Sequence, residues 1–137
     1  LPSKFRPLKD RRNVVVTRDQ SYIAQGAAIA GSLGEALSSC SEPSYVLGGA
    51  SIYKEAIDNN LIDCAFITHL QEHPHFDSDV LFPIASLKKF GKQFNITKLA
   101  YNLLKASLKL DNEHYLRDSE DPVFVDGDVS YKIVAYF

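Results

Sequence analysis

Tyr45-Val46-Leu47 runs straight into Gly48-Gly49, and from there into Ala50 to Asn59, where Ile52 with Ala56 and Tyr53 with Ile57 recur at i, i+4. An extended apolar run, two glycines and an amphipathic helix leave few folds open, because the helix must pack back on the sheet its strand came from. Similar units flank it. Val14-Val15-Val16-Thr17 is a β-branched run that reads as a strand, and Ala28-Ile29-Ala30 reads as a short second one. Ser32-Leu33-Gly34-Glu35 has capping-box spacing and opens a short helix over Leu33 to Ser39, while Ala65 to Leu70 reads as a further strand. This alternation of strands and helices predicts an α/β fold with a mostly parallel sheet covered by helices. Ligands on such sheets gather at the carboxyl ends of the strands.

The last third is less regular. Lys98 to Leu110 carries leucines at 99, 103, 104, 108 and 110 that fit one helical face. Val129, Tyr131, Ile133, Ala135 and Phe137 alternate as a closing antiparallel strand at or near an edge. The chain has 137 residues, which predicts a single domain over 1–137. No apolar run, Ala27 to Ala30 among them, is long enough to cross a membrane as a helix. Cys40 and Cys64 form no CxxC pair and read as reduced thiols, which points to a reducing compartment.

Charge is unevenly placed. Residues 1 to 18 carry Lys4, Arg6, Lys9, Arg11, Arg12 and Arg18 against Asp10 alone, a segment suited to phosphates or carboxylates. Phe5, Pro7 and Leu8 interleave these charges and favour a folded loop over a nucleic-acid patch. Residues 111 to 128 carry seven acids against Arg117 and read as a solvated loop. His73-Pro74-His75 with Asp77 and Asp79 has metal-ligating side chains but the proline and serine of a loop, so no metal site is assigned.

Two places carry candidate chemistry. The Gly48-Gly49 pair lets backbone approach a ligand and turns the amides of Ala50, Ser51 and Ile52 toward an anion, although a tight strand-to-helix turn alone also explains it. Arg18, following the first strand, is placed to meet a 2′-phosphate, while the adjacent Asp19 leaves the choice between NADP and NAD open. Arg11, just before that strand, offers a bidentate fork for a carboxylate.

Four segments in order resemble one family. Lys4-Phe5-Arg6-Pro7-Leu8-Lys9-Asp10-Arg11 followed by Asn13-Val14-Val15-Val16-Thr17-Arg18, then Leu47-Gly48-Gly49-Ala50-Ser51-Ile52-Tyr53, then Phe66-Ile67-Thr68, then Asp79-Val80-Leu81-Phe82-Pro83 resemble dihydrofolate reductases of eukaryotic or fungal type. The resemblance implies a dihydrofolate-reductase-like sheet flanked by helices with an antiparallel C-terminal strand, its first strand and first helix missing. It implies NADPH as cofactor, and dihydrofolate or antifolate-like molecules as ligands, with neither nucleic acid nor membrane as partner.

Carried over by position, it gives Arg11 the glutamate carboxylate of folate, with Leu1, Phe5 and Leu8 lining the passage to it. Leu47 lends its carbonyl near the pterin, and Thr68 binds the pterin amino group. Thr17, Arg18 and Asp19 surround the 2′-phosphate, and Gly48, Gly49, Ala50, Ser51, Ile52 and Tyr53 hold the pyrophosphate and nicotinamide region, with a cis bond between the glycines. The catalytic acid of the family is expected upstream of Leu1. The chain therefore reads as an N-terminally truncated fragment of a cytoplasmic enzyme, inactive alone and a potential partner for its own missing segment. A riboflavin-pathway reductase of the same superfamily, and a non-catalytic truncated or two-piece binding protein, are the alternatives.

Overall fold

The computed structural model describes residues 5–19, 21–41, 43–74, 77–107 and 114–137. Contacts gather into two compact units, one up to Leu61 and one from Ile62.

In the first unit β1 (Val14–Val16) pairs in parallel with β2 (Ala28–Ala30), Val14 opposite Ala28 and Val16 opposite Ala30. The ladder runs one bond further at each end, from Ala28 N–H to Asn13 O at 2.9 Å and from Thr17 N–H to Ala30 O at 3.0 Å. Helix α1 (Leu33–Ser38) starts as its spacing predicts: Ser32 Oγ accepts from Glu35 N–H at 3.1 Å. The reciprocal half differs by one residue, because the Glu35 carboxylate reaches back to the Gly31 amide at 2.7 Å. The Glu35 amide is thereby satisfied, and the Glu35 carboxylate ties down the residue before the cap. Helix α2 (Ala50–Asp58) stops where its asparagines predict. Asn60 takes φ +53°, and the amides of Asn60 and Leu61 return to the carbonyls of Ile57 and Ala56, a Schellman closure. Ala30, Leu33, Ala36, Ala56 and Ile57 are the buried apolar residues of this unit.

Tyr45–Leu47 is not a strand. A strand exists only by pairing, and among the described residues nothing forms a ladder with it, so Tyr45 and Leu47 stay 73% and 64% exposed.

The second unit is built on β7 (Val129–Tyr136). It pairs antiparallel with β3 (Ala65–Glu72), with β4 (Gln93–Asn95) and with β6 (Val123–Asp126), which in turn pairs with β5 (His114–Arg117). The closing strand is thus antiparallel as expected, but it lies inside the sheet rather than at its edge. Among the described residues parallel pairing is confined to β1 and β2, and every pairing in the larger sheet is antiparallel. The acidic stretch expected as a loop is in part the β5–β6 pair, because the short apolar runs Tyr115-Leu116 and Val123-Phe124-Val125 lie between its acids, and Phe124 and Val125 are buried; residues 111–113 lie outside the described residues.

A 3₁₀ helix spans Ile84–Lys89, and α3 spans Thr97–Ser107, starting one residue before the helix expected over Lys98 to Leu110 from the leucine spacing; Leu108 and Leu110 lie outside the described residues. Tyr101 of α3 packs on Phe124 with centroids 5.5 Å apart, and Phe124 stacks on Tyr131 at 5.1 Å. Cys40 and Cys64 are both free thiols, half-buried. Among the described residues, no helix is long and apolar enough to cross a membrane and no three metal-ligating side chains gather; His75 lies outside them.

Candidate functional site

The first unit holds most of the residues the sequence singles out. At the entrance to α2 the Gly48–Gly49 peptide is cis, as the resemblance implies. Gly48 has φ +90°, a region that side chains disfavour, and a Cβ there would meet Cε2, Cζ and Oη of Tyr53 at 3.0 Å. The Tyr53 ring therefore packs directly against the Gly48 backbone. Gly49 is different: nothing lies within 4 Å of where its Cβ would be. It is the N-cap of α2 and no side chain caps the helix. Tyr53 N–H makes the first intrahelical bond, to Gly49 O at 3.0 Å, so the amides of Ala50, Ser51 and Ile52 have no carbonyl one turn back. Three donors at the positive end of the helix are thus left without intrahelical partners.

At the far end of β1, Thr17 Oγ1 accepts from Asp19 N–H at 3.1 Å. Asp19 Oδ1 accepts from both the amide and the hydroxyl of Ser21, at 2.9 and 2.6 Å. These bonds hold the Asp19 carboxyl below the usual carboxylate range and turn it to its own loop. The acid that made Arg18 ambiguous is thereby engaged locally, and Arg18 is exposed beside it.

At the near end of β1, Asn13 organises the basic loop. Its Oδ1 accepts from Leu8 N–H at 2.9 Å, and its Nδ2 donates to Leu8 O at 2.8 Å and Arg11 O at 2.9 Å. Arg11 Nε donates to Lys9 O at 3.0 Å, and Arg12 reaches Ser39 O. Pro7 follows a cis bond and packs against Gly26, where a Cβ would come within 2.8 Å of its Cγ at φ +75°. Phe5 is 53% exposed, and Leu8 is half-buried.

Asn13, Ser21 and Gly26 were not singled out by sequence reasoning. An aspartate two residues before a serine does signal the Asx turn at Asp19, whereas Asn13 carries no periodic signal. Asn13→Ala is expected to cost about 1–3 kcal/mol, since Leu8 loses partners for both its amide and its carbonyl. Thermal unfolding measures it; a Tm unchanged from the parent chain would show that the loop holds without the clamp.

Two expected residues lie outside the described part of the first unit. Thr68 lies on β3 in the second unit, opposite Ile133, with its side chain exposed. Leu1 lies outside the described residues. The arrangement thus brings anion-binding groups to three places in the first unit: an uncapped helix start, an arginine beyond β1, and an arginine-bearing loop before it.

A family profile described as dihydrofolate reductase matches residues 2–115. Dihydrofolate reductase of Sus scrofa is 36% identical over 99 residues, 66% of this chain and 52% of that protein. That of Candida albicans is 36% identical over 101 residues, 67% of this chain and 52% of its own length. The Mycobacterium tuberculosis enzyme reaches 47% over a shorter span of 57 residues, covering 42% of this chain and 34% of that one. The structure of Schistosoma mansoni dihydrofolate reductase superposes with a TM-score of 0.60 at 23% identity, over 99% of this chain and 67% of that one, and so shares the fold. The chain spans about half the length of the curated relatives it matches. With a profile match over most of its residues and a shared fold, this chain belongs to the dihydrofolate reductase family.

Proposed function

We propose that this chain carries the NADPH-binding part, and part of the folate-binding part, of a protein that reduces dihydrofolate to tetrahydrofolate. The observation that carries the reading is the Gly48–Gly49 turn: a backbone with no Cβ, opening onto an uncapped helix start and packed from behind by Tyr53. The open space at Gly49 and the orphan amides of Ala50, Ser51 and Ile52 fit a pyrophosphate. Thr17 and Arg18 fit a 2′-phosphate, and Asp19 does not oppose it while its carboxylate is engaged by Ser21.

When bound, the nicotinamide supplies a hydride, and the protein supplies position and charge. In this reading Arg11 forks onto the glutamate carboxylate of the folate, with Phe5 and Leu8 as apolar lining. The Leu47 carbonyl and the Thr68 hydroxyl orient the pterin by hydrogen bonds. None of these residues is an acid that protonates the pterin, so the chain alone is expected to bind ligands without turning over. A reducing, cytoplasmic setting belongs to the same reading and is supported by the two free thiols.

The test is calorimetric titration of the chain with NADPH and with NADH. NADPH is expected to bind more tightly, and Arg18→Ala to weaken it about 10- to 100-fold, the worth of charge-assisted bonds to a phosphate, while leaving NADH unchanged. Equal affinity for the two dinucleotides, or an indifferent Arg18→Ala, would sink the assignment. Steady oxidation of NADPH by this chain with dihydrofolate would overturn its expected inactivity.

A further inference from the structure

In the second unit, β4 and the end of β7 border two adjoining hollows that no residue of the proposed folate or NADPH site lines. One, of ≈ 320 Å³, is lined by Ile84, Leu87, Lys88, Phe90 and Lys92 among others. The second, of ≈ 430 Å³, includes His69, Asn95, Asp121 and Lys132. Gln93 and Tyr136 line both, so the two hollows adjoin along this groove-like edge of the sheet. Each is within the size range of small-molecule sites, about 300–1,000 Å³.

The chemistry of the groove is lopsided. Its one lining acid, Asp121, is already engaged: Oδ1 accepts from Asn95 Nδ2 at 2.6 Å and Oδ2 from Lys132 Nζ at 2.9 Å. Those two bonds, that from Lys132 foremost, hold its carboxyl below the usual range. His69 Nε2 lies 2.9 Å from Tyr136 Oη, which occupies the imidazole on that side. Lys88 and Lys92 are exposed, and no carboxylate among the described residues pairs with either. Beside them stand two aromatic rings, Phe90 and Tyr136, with centroids 6.5 Å apart and planes tilted by 59°, and the 61% exposed side chain of Ile84.

Two unmatched ammoniums next to an apolar and aromatic wall select a ligand that is flat at one end and doubly charged at the other. We propose that this groove binds a small aryl phosphate, with the ring on Phe90, Tyr136 and Ile84 and the phosphate at Lys88 and Lys92. The site is independent of the folate reading, since it shares no residue with it.

The experiment is a heteronuclear NMR titration of the full chain with phenyl phosphate, and separately with inorganic phosphate and with phenol. Saturable shifts are expected at the amides of Phe90 to Gln93 and of Tyr136, with phenyl phosphate at least about 10-fold tighter than either half-ligand. Lys88→Gln with Lys92→Gln is expected to weaken it about 10-fold or more, while Lys88→Arg with Lys92→Arg retains it. Inorganic phosphate binding as tightly as phenyl phosphate, shifts scattered over the molecule, or a glutamine pair that binds like the parent would each overturn the proposal. The spectra also report whether each variant is folded.

Discussion

Gly48→Ala is expected to abolish measurable NADPH binding at concentrations that saturate the parent chain, a loss of about 100-fold or more. Two effects combine. Alanine at φ +90° carries a backbone cost of about 1–3 kcal/mol, and its methyl group would sit 3.0 Å from three atoms of the Tyr53 ring. The ring must swing away or the turn must deform. Either way the amides of Ala50, Ser51 and Ile52 no longer point where the parent aims them. Gly49→Ala is the informative contrast, because its φ of −75° is ordinary and the space around it is open. It is expected to leave the Tm nearly unchanged and still weaken the dinucleotide, if a phosphate occupies that space. Calorimetry with NADPH and thermal unfolding of both variants separate the cases. A Gly48→Ala chain with parental affinity would show that the turn is structural only.

Thr97→Val is expected to destabilise the second unit by about 2–4 kcal/mol. Thr97 is fully buried, and its hydroxyl serves two masters: it accepts from Ile133 N–H at 2.8 Å and donates to Asn95 Oδ1 at 2.6 Å. Ile96 N–H bonds Ile133 O at 2.8 Å beside it, so the start of α3 is fastened to the middle of β7 at two points. Valine keeps the shape and removes the hydroxyl, leaving a sheet amide without its partner. Thr97→Ser keeps the hydroxyl and is expected to cost only about 1 kcal/mol for the lost methyl group. Urea unfolding followed by far-ultraviolet circular dichroism measures both. A valine variant as stable as the serine one would remove the hydroxyl from the account.

What the sequence reveals here is local. β1, β2 and β3 follow from β-branched or alternating runs, α1 from Ser32 and Glu35, and the ends of α2 from Gly49 and Asn60, each within a few residues of the feature that causes it. Pairing is another matter. β7 reads as an alternating strand, but its place inside the sheet depends on β3, β4 and β6 arriving from elsewhere in the chain, which no period of two encodes. Tyr45-Val46-Leu47 shows the converse: a plausible strand composition without a neighbour is not a strand. The acidic stretch misleads because its charge hides the β-branched and aromatic run Val123-Phe124-Val125 within it.

The candidate site divides the same way. Glycines between an apolar run and a helix mark the turn, and the cis bond at Gly48–Gly49 agrees with the family resemblance. The Asn13 clamp is invisible beforehand, because a single amide meeting Leu8 and Arg11 depends on the fold of an irregular loop. Likewise, Asp19 beside Arg18 is ambiguous as a string, and only the turn to Ser21 shows where its charge is spent.

The register of β7 also has a consequence during synthesis. Ala65 faces Tyr136 and Leu70 faces Tyr131, so a nascent chain emerging from a ribosome exposes β3 long before its partner exists. At about 5–20 residues per second the wait is roughly 3 to 14 seconds, during which β3 presents an unsatisfied edge. Slowing translation of the stretch between β3 and β7 lengthens that window, and a chaperone that shields extended apolar segments is expected to raise the soluble yield most when it is present then rather than added afterwards.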